Sequence, residues 1–143
     1  MLGAIAQDSD AAREAARIVV AFYISSMPPE LLTRNGVDPA EIAPIVEAFN
    51  RGDVRGALNR TPPSVGDLLS VAGTAQEWVE RIERDLLPAG FRHLLVTFAD
   101  PFLVEQWAGI TIDGLPSLEK QLQLFQRDVM AVFSEDCSGK GGR

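Results

Sequence analysis

A chain of 143 residues with 46% hydrophobic residues is long enough for one packed domain and too apolar for a disordered one. Its formal charge of −7, from 20 acids against 13 bases, comes without the basic cluster that phosphate-backbone binding needs, so nucleic acid is not an expected partner. The single cysteine, Cys137, cannot form an internal disulfide and fits a reducing, cytoplasmic setting, and the longest apolar run, residues 18–24, is far short of the roughly 20 residues that cross a bilayer, so no membrane partner is expected.

Residues 2–6 (LGAIA) are apolar and give way at once to Gln7, Asp8 and Ser9, the pattern of a buried strand running into a helix cap. From there Ala12, Ala15, Ala16, Val19, Val20 and Tyr23 recur at three and four residues, with Arg13, Glu14 and Arg17 on the other side. This spacing predicts an amphipathic helix closed by Met27, Pro28 and Pro29, and its alanines predict close approach to a neighbouring surface. Residues 30–34 make a further helical turn before the Asn35-Gly36 turn signal. Asp38, Pro39 and Glu41 supply an N-cap, a first-position proline and a capping-box partner for a second helix, which turns Ile42, Ile45, Val46 and Phe49 inward. Pro44 is expected to kink that helix or delay its regular start. The Arg51–Gly52–Asp53 triplet sits in a turn and carries no functional weight in an acidic chain without export features. Short helical pieces at 54–59 and 62–69 complete a helical excursion over 28–70.

Residues 71–100 organise the rest. Thr74 and Glu77 form a capping box, Trp78, Val79, Ile82 and Leu86 form a stripe, and Glu77–Arg81 and Glu80–Arg84 are spaced as ion pairs on the wet side. Pro88 and Gly90 end this helix. HLLVTF, residues 93–98, lacks polar alternation and predicts a strand buried on both faces of a parallel sheet. The fold class is therefore α/β and helix-rich. After the Asp100-Pro101 break, residues 102–114 read as a loop with Trp107 and Ile110 packed. Ser117 caps a last helix striped by Leu118, Leu122, Phe125, Val129 and Val132, and residues 134–143 read as a disordered tail.

The usual catalytic groupings are missing: the chain has one histidine and no GxSxG elbow, Walker loop, GxGxxG or Cys/His metal spacing. No residue is assigned a catalytic or metal-binding role, and His93, at the start of its strand, reads as a structural or surface residue. Gly73 and Thr74 at a helix N-terminus offer N–H groups either to a phosphate or simply to a cap. Thr97, Phe98 and Asp100 leave the carboxyl end of the strand, where α/β proteins gather ligand contacts, although Asp100 before Pro101 is equally a turn residue.

Three stretches, LGAIAQDSDAAREAAR, VAGTAQEWVERIERDLLPAGFRHLLVTF and LEKQLQLFQRDVMAVF, resemble the C-terminal part of the luciferase-like flavin-dependent oxidoreductases. The branch they are most similar to contains the methylenetetrahydromethanopterin reductases and other enzymes of coenzyme F-420; Ala75 stands where that family's G-T-P-E-E pattern has proline. The resemblance implies the C-terminal portion of a TIM (β/α)8 barrel, incomplete as a barrel: residues 2–6 as its seventh strand, 93–98 as its eighth, a partial barrel domain over 1–133 and the 28–70 helices as an insertion. It implies an oxidoreductase or monooxygenase fragment using reduced FMN or coenzyme F-420 on a small organic substrate, with Gln7, Gly73, Thr74, Thr97 and Asp100 as the candidate cofactor contacts. The strands that carry most cofactor contacts in the family have no counterpart here, so the chain by itself is expected to be inactive. The implied partners are a complementing N-terminal barrel portion or a second copy in a homodimer; the alternative reading is a non-catalytic helical binding or dimerisation module derived from that family. A small stand-alone enzyme that takes a phosphorylated ligand at Gly73 and Thr74 is the third reading.

Overall fold

A computed structural model of the chain describes residues 1–134; Cys137 and the tail expected to be disordered lie outside the described residues, except for Ser134, which ends the last helix. Three short strands, β1 (Leu2–Ile5), β2 (Ser70–Gly73) and β3 (Thr97–Phe98), form one parallel sheet in the order β2-β1-β3. The apolar run of β1 has its reason in coverage of both faces. Leu2, Ala4, Ala6 and Ala72 pack on one side with helix α1 (Ser9–Ile24). Ile5 and Val71 point the other way, into a cluster with Trp78 and Ile82. Right-handed crossovers that run in opposite directions along a sheet put their helices on opposite faces, as seen for α1 between β1 and β2 and for the Trp78 helix between β2 and β3.

Helix α1 starts on Asp8, whose carboxylate accepts from the N–H groups of Asp10 and Ala11 at 3.0 and 3.3 Å. Ala11, Ala12, Ala15 and Ala16 are buried, and their small side chains let the helix axis approach the sheet as the sequence predicts. Tyr23, expected in the buried stripe, is exposed; Ile24 takes the inward position and the helix stops there, three residues before Met27. Four helices fill residues 29–69: α2 (Pro29–Arg34), α3 (Pro39–Asn50), α4 (Val54–Arg60) and α5 (Pro63–Leu69). They close a second core of Val20, Ile24, Leu32, Ile42, Ile45 and Val65. Pro44 is exposed inside α3 and does not end it. Asp53 caps α4 by accepting from the Gly56 N–H at 2.8 Å, which gives the Arg-Gly-Asp triplet a structural task.

Four expectations need correction here. Residues 70–73 form a strand that composition hides, because Ser, Ala and Gly are poor strand formers and only pairing with β1 defines it. The doubly buried strand expected over 93–98 shrinks to Thr97–Phe98, with Leu95 84% exposed; β3 pairs with β1 alone, and no further strand among the described residues pairs with its other edge. The loop expected over 102–114 begins as helix α7 (Pro101–Ala108), started by Asp100 as N-cap and Pro101 at the first position. Beyond it Ile110 is half-buried against the core as expected, whereas Trp107 within it is 40% exposed and meets Phe22 through one side only, with ring centroids 5.3 Å apart and the rings tilted by 50°. In the last helix, α8 (Leu118–Leu124) with its continuation, the expected stripe holds at Phe125 and Val129, but Leu118, Leu122 and Val132 are exposed and Gln121 takes an inward position.

Both helices that cover the Trp78 face widen into a π-helical turn, α6 (Ala75–Arg81) at Ile82–Leu86 and α8 at Phe125–Met130, before α9 (Ala131–Ser134). Trp78, fully buried, meets Phe125 edge-on at 5.1 Å and Phe98 at 5.8 Å. Its ring lies close enough to β1 that a Cβ on Gly3 would stand 2.6 and 2.7 Å from two ring carbons. Gly3→Ala is therefore expected to cost about 1–3 kcal/mol through overpacking. Denaturant unfolding checks this, and a neutral Gly3→Ala would contradict the fit of ring to strand.

Candidate functional site

Because the sheet is parallel, the carboxyl ends of all three strands lie on one edge, the place where α/β sheets bind ligands. Gln7 leaves β1 there, Gly73 and Thr74 end β2, and Asp100 follows β3. Thr97 is not part of this edge. It pairs with Leu2 at the start of β1 and donates its N–H to the Met1 carbonyl at 2.9 Å, because β3 is two residues long and meets only the first half of β1. His93 is exposed before that strand.

The Gly73–Thr74 turn holds an anion, and the anion is Glu77. The Glu77 carboxylate accepts from the Thr74 N–H at 2.7 Å, the Ser9 hydroxyl at 2.7 Å and Arg13 Nη2 at 2.8 Å, while the Thr74 hydroxyl accepts from the Glu77 N–H at 3.3 Å. This completes the expected capping box and ties α6 to α1. It leaves no vacancy at Thr74 for an external phosphate, and the expected Glu77–Arg81 pair gives way to Arg81–Asp85 at 2.7 Å. Gly73 has φ +143°, and a Cβ there would meet the Glu77 carboxylate at 2.3 Å, so only glycine lets the carboxylate reach back.

Burial alone would push the Glu77 carboxyl up, but its hydrogen bonds from Thr74, Ser9 and Arg13 outweigh it and hold the group at about 2, below its ordinary 4.5. A depressed folded-state pKa means that this contribution to stability is complete above about pH 4.5 and disappears as pH falls toward 2. Glu77→Gln is expected to flatten the pH dependence of unfolding in that window. An unchanged acid limb in denaturant titrations at several pH values would contradict the linkage.

Asp100 is likewise occupied, accepting from the Phe102 N–H at 3.0 Å as the cap of α7. Between β1 and β3 stands a residue that the sequence reading missed. The Gln121 side chain, fully buried, donates Nε2–H to the carbonyls of Ala99 at 2.7 Å and Pro116 at 3.1 Å, and its Oε1 accepts from the Ile5 N–H at 3.3 Å. The last main-chain bond joining the two strands is Ala99 N–H to the Gly3 carbonyl at 2.8 Å; beyond it the amide of Gln121 continues the ladder in place of a neighbouring strand.

Two grooves of about 410 and 350 Å³ flank Gln7 on this edge. Gln123, Lys120 and Arg127 border the first, Thr74, Gln76 and Arg127 the second. Arg127 is also paired with Asp128 beside it. Of the five candidate contacts, Gln7 and Thr74 line these grooves, Gln7 exposed and Thr74 half-buried with its N–H bonded to Glu77; Gln76, Lys120, Gln123 and Arg127 join them, all exposed, so the described residues supply one polar wall. Among the described residues no group of three or more His, Cys, Asp and Glu side chains is placed to hold a metal, and no helix is long and apolar enough to cross a membrane.

No protein-family model matches the sequence. Curated relatives do. The chain is 32% identical over 131 residues to the 5,10-methylenetetrahydromethanopterin reductase of Methanopyrus kandleri, with 92% of the chain and 33% of that protein covered. The reductases of Archaeoglobus fulgidus and Methanolobus tindarius are 31% and 33% identical over 128 residues each, covering 87% and 88% of the chain. The solved coenzyme F-420-dependent tetrahydromethanopterin reductase of Methanopyrus kandleri superposes on 91% of the chain with a TM-score of 0.71 and 30% identity. The chain is a homologue of these reductases. It spans about a third of their length, 33–34%. The helix-rich α/β structure with its small parallel sheet matches a fragment of the reductase fold, and the homology carries the coenzyme F-420 oxidoreductase branch; neither FMN nor a monooxygenase is named among these relatives.

Proposed function

We propose that the chain forms one third of a coenzyme F-420-dependent reductase acting on a small organic substrate in the cytoplasm, as the C-terminal portion of its (β/α)8 barrel. The observation that carries this reading is the extent of the match: sequence and structure both follow the reductases through about nine tenths of the chain, at 92% and 91%. The parallel pairing of β1 with β3 suits the two strands as barrel neighbours, with the 28–70 helices as an insertion within a 1–133 unit. Two features depart from a barrel: the order β2-β1-β3 puts β2 on the outer flank of β1 where barrel winding is sequential, and helices cover both faces of the sheet where a barrel keeps them on the outside.

When bound, coenzyme F-420 supplies hydride transfer, and the protein supplies position, orientation and electrostatics. In this chain the supply comes from the carboxyl edge. Gln7 and Gln76 offer amide donors and acceptors, and Lys120 and Arg127 offer positive charge to anionic groups of a ligand. Glu77 and Gln121 hold the ends of β2, β1 and β3 in register without touching a ligand themselves. Residues on the other two thirds of a reductase complete the enclosure that this edge lacks.

A chimera tests the reading: the matched third of the Methanopyrus kandleri reductase is exchanged for this chain. The expected result is a folded enzyme that retains coenzyme F-420-dependent reductase turnover and loses substrate affinity on combined substitution of Gln7 and Arg127 by Ala. A chimera that folds to parental size yet turns nothing over would contradict it.

A further inference from the structure

The three strands run toward the carboxyl edge in one direction and leave it by connections of unequal length. β1 turns into α1 through residues 6–8 and β2 into α6 through Thr74 alone, and caps occupy both turns, Asp8 on α1 and Thr74 with Glu77 on α6. From β3 to α8 the chain makes an excursion over residues 99–117 that includes α7. One side chain gathers its two ends: Gln121 Nε2 donates to the Ala99 carbonyl, where the excursion leaves, and to the Pro116 carbonyl, where it returns. In between, Val104 enters the alanine-rich core, and Ile110, Ile112 and Leu115 fasten the return leg on that core. A surface excursion with closed ends and packing of its own holds a fixed shape, and its sequence can change while the sheet beneath it stays as it is.

Two of its residues stand at the ligand edge. Gly114, with φ +85°, lines the groove of about 410 Å³ together with Gln7 and Lys120. A Cβ there would come within 3.4 Å of Asp8 Oδ2 and 3.5 Å of the Ala11 Cβ, so the return leg passes in contact over the start of α1. Phe102, in the first turn of α7 just beyond β3, is 69% exposed and belongs to no core cluster among the described residues. An aromatic ring held in solvent beside the carboxyl edge offers apolar contact to a ligand. The short capped turns fix their main chain and have no room for variation, whereas a long connection is where one edge is adapted to different substrates. Resting on the reductase reading above, we propose that residues 100–115 select the small organic substrate: Phe102 supplies apolar contact to it, Gly114 leaves the space beside Gln7 open, and the rest of the edge sets affinity for the coenzyme.

The test compares the Methanopyrus kandleri chimera with a second version in which residues 100–115 are replaced by the segment that joins the same two elements in that reductase. Equilibrium dialysis measures affinity for coenzyme F-420 and, separately, for 5,10-methylenetetrahydromethanopterin, which gives that reductase its name, and neither measurement needs turnover. The second version is expected to bind 5,10-methylenetetrahydromethanopterin about tenfold or more tightly than the first, with coenzyme affinities equal within about twofold. Phe102→Ala in the first version is expected to weaken binding of the same compound by about fivefold, and Leu68→Ala, on a residue 49% exposed on α5, to leave it unchanged. Circular dichroism of both variants in the 143-residue chain verifies that the helices are kept. Equal affinity for 5,10-methylenetetrahydromethanopterin in the two versions, a coenzyme affinity that moves with it, or a neutral Phe102→Ala would overturn the proposal. Turnover separates it from the reductase reading. An active chimera whose substrate affinity ignores the exchange refutes the selecting segment and keeps the function, whereas an inactive chimera whose substrate affinity follows the exchange does the reverse.

Discussion

Trp78→Ala is expected to destabilise the fold by about 3–5 kcal/mol, a large part of the roughly 5–15 kcal/mol that holds a typical domain together. The indole is fully buried and makes three kinds of contact at once. It fills the space over Gly3, it packs against Phe98 and Phe125, and its Nε1–H donates to the Ala4 carbonyl at 2.9 Å. Phe98 and Phe125 also touch each other at 5.3 Å, so the three rings close one cluster that neither neighbour can collapse to refill. Truncation to alanine leaves a cavity between sheet and helix, while Trp78→Phe keeps most of the ring and removes the hydrogen bond. The phenylalanine variant is expected to lose about 1–3 kcal/mol. Urea unfolding followed by circular dichroism measures both, with Trp107 left as the fluorescent reporter of the α1–α7 contact. A Trp78→Ala midpoint within about 1 kcal/mol of the parent would mean that the cluster does not hold the two layers together.

Gln121→Leu is expected to cost a comparable amount for a different reason. Leucine keeps the volume but abandons the buried Ile5 N–H and the Ala99 carbonyl, each worth about 1–3 kcal/mol when left without a partner. Gln121→Glu sharpens the point, since a carboxylate in that position faces the carbonyls of Ala99 and Pro116 where the amide had donated to both. Burial and those carbonyls raise the folded-state pKa of the new carboxyl above its unfolded value. The Glu variant is then weakest at neutral pH and recovers as the pH falls and the acid becomes a donor again. Loss of stability that does not vary with pH in Gln121→Glu would show that the amide is not bridging the strands.

Local signals carried over into the structure best where short-range chemistry decides. Asp8, Asp38, Thr74 and Ser117 cap the helices the sequence assigns to them, because a cap needs only a hydroxyl or carboxylate and the next turn. The carboxyl-edge candidates were legible as positions, since Gln7, Gly73, Thr74 and Asp100 do share one edge. Their occupation was not: Glu77 and the cap of α7 take up three of them through contacts that depend on how the elements meet. Gln121 escaped notice because the Leu118, Leu122 and Val132 positions suggested a different face. One signal was available. Trp78, Ile82 and Leu86 are spaced by four, as are Gln121, Phe125, Val129 and Phe133, and sustained spacing by four suits a widened π turn better than a regular helix, which drifts off that face. The strand at 70–73 and the exposure of residues 91–95 were beyond any local reading, since pairing and coverage are properties of the whole sheet.

The most direct test of a reductase third that needs the other two thirds is equilibrium dialysis of coenzyme F-420 against the purified chain and against the Methanopyrus kandleri chimera. The chimera is expected to bind the coenzyme saturably at micromolar concentration and the chain alone to show no saturation, because its carboxyl edge presents one exposed polar wall. Saturable micromolar binding by the chain alone, or a folded chimera that binds none, would contradict it.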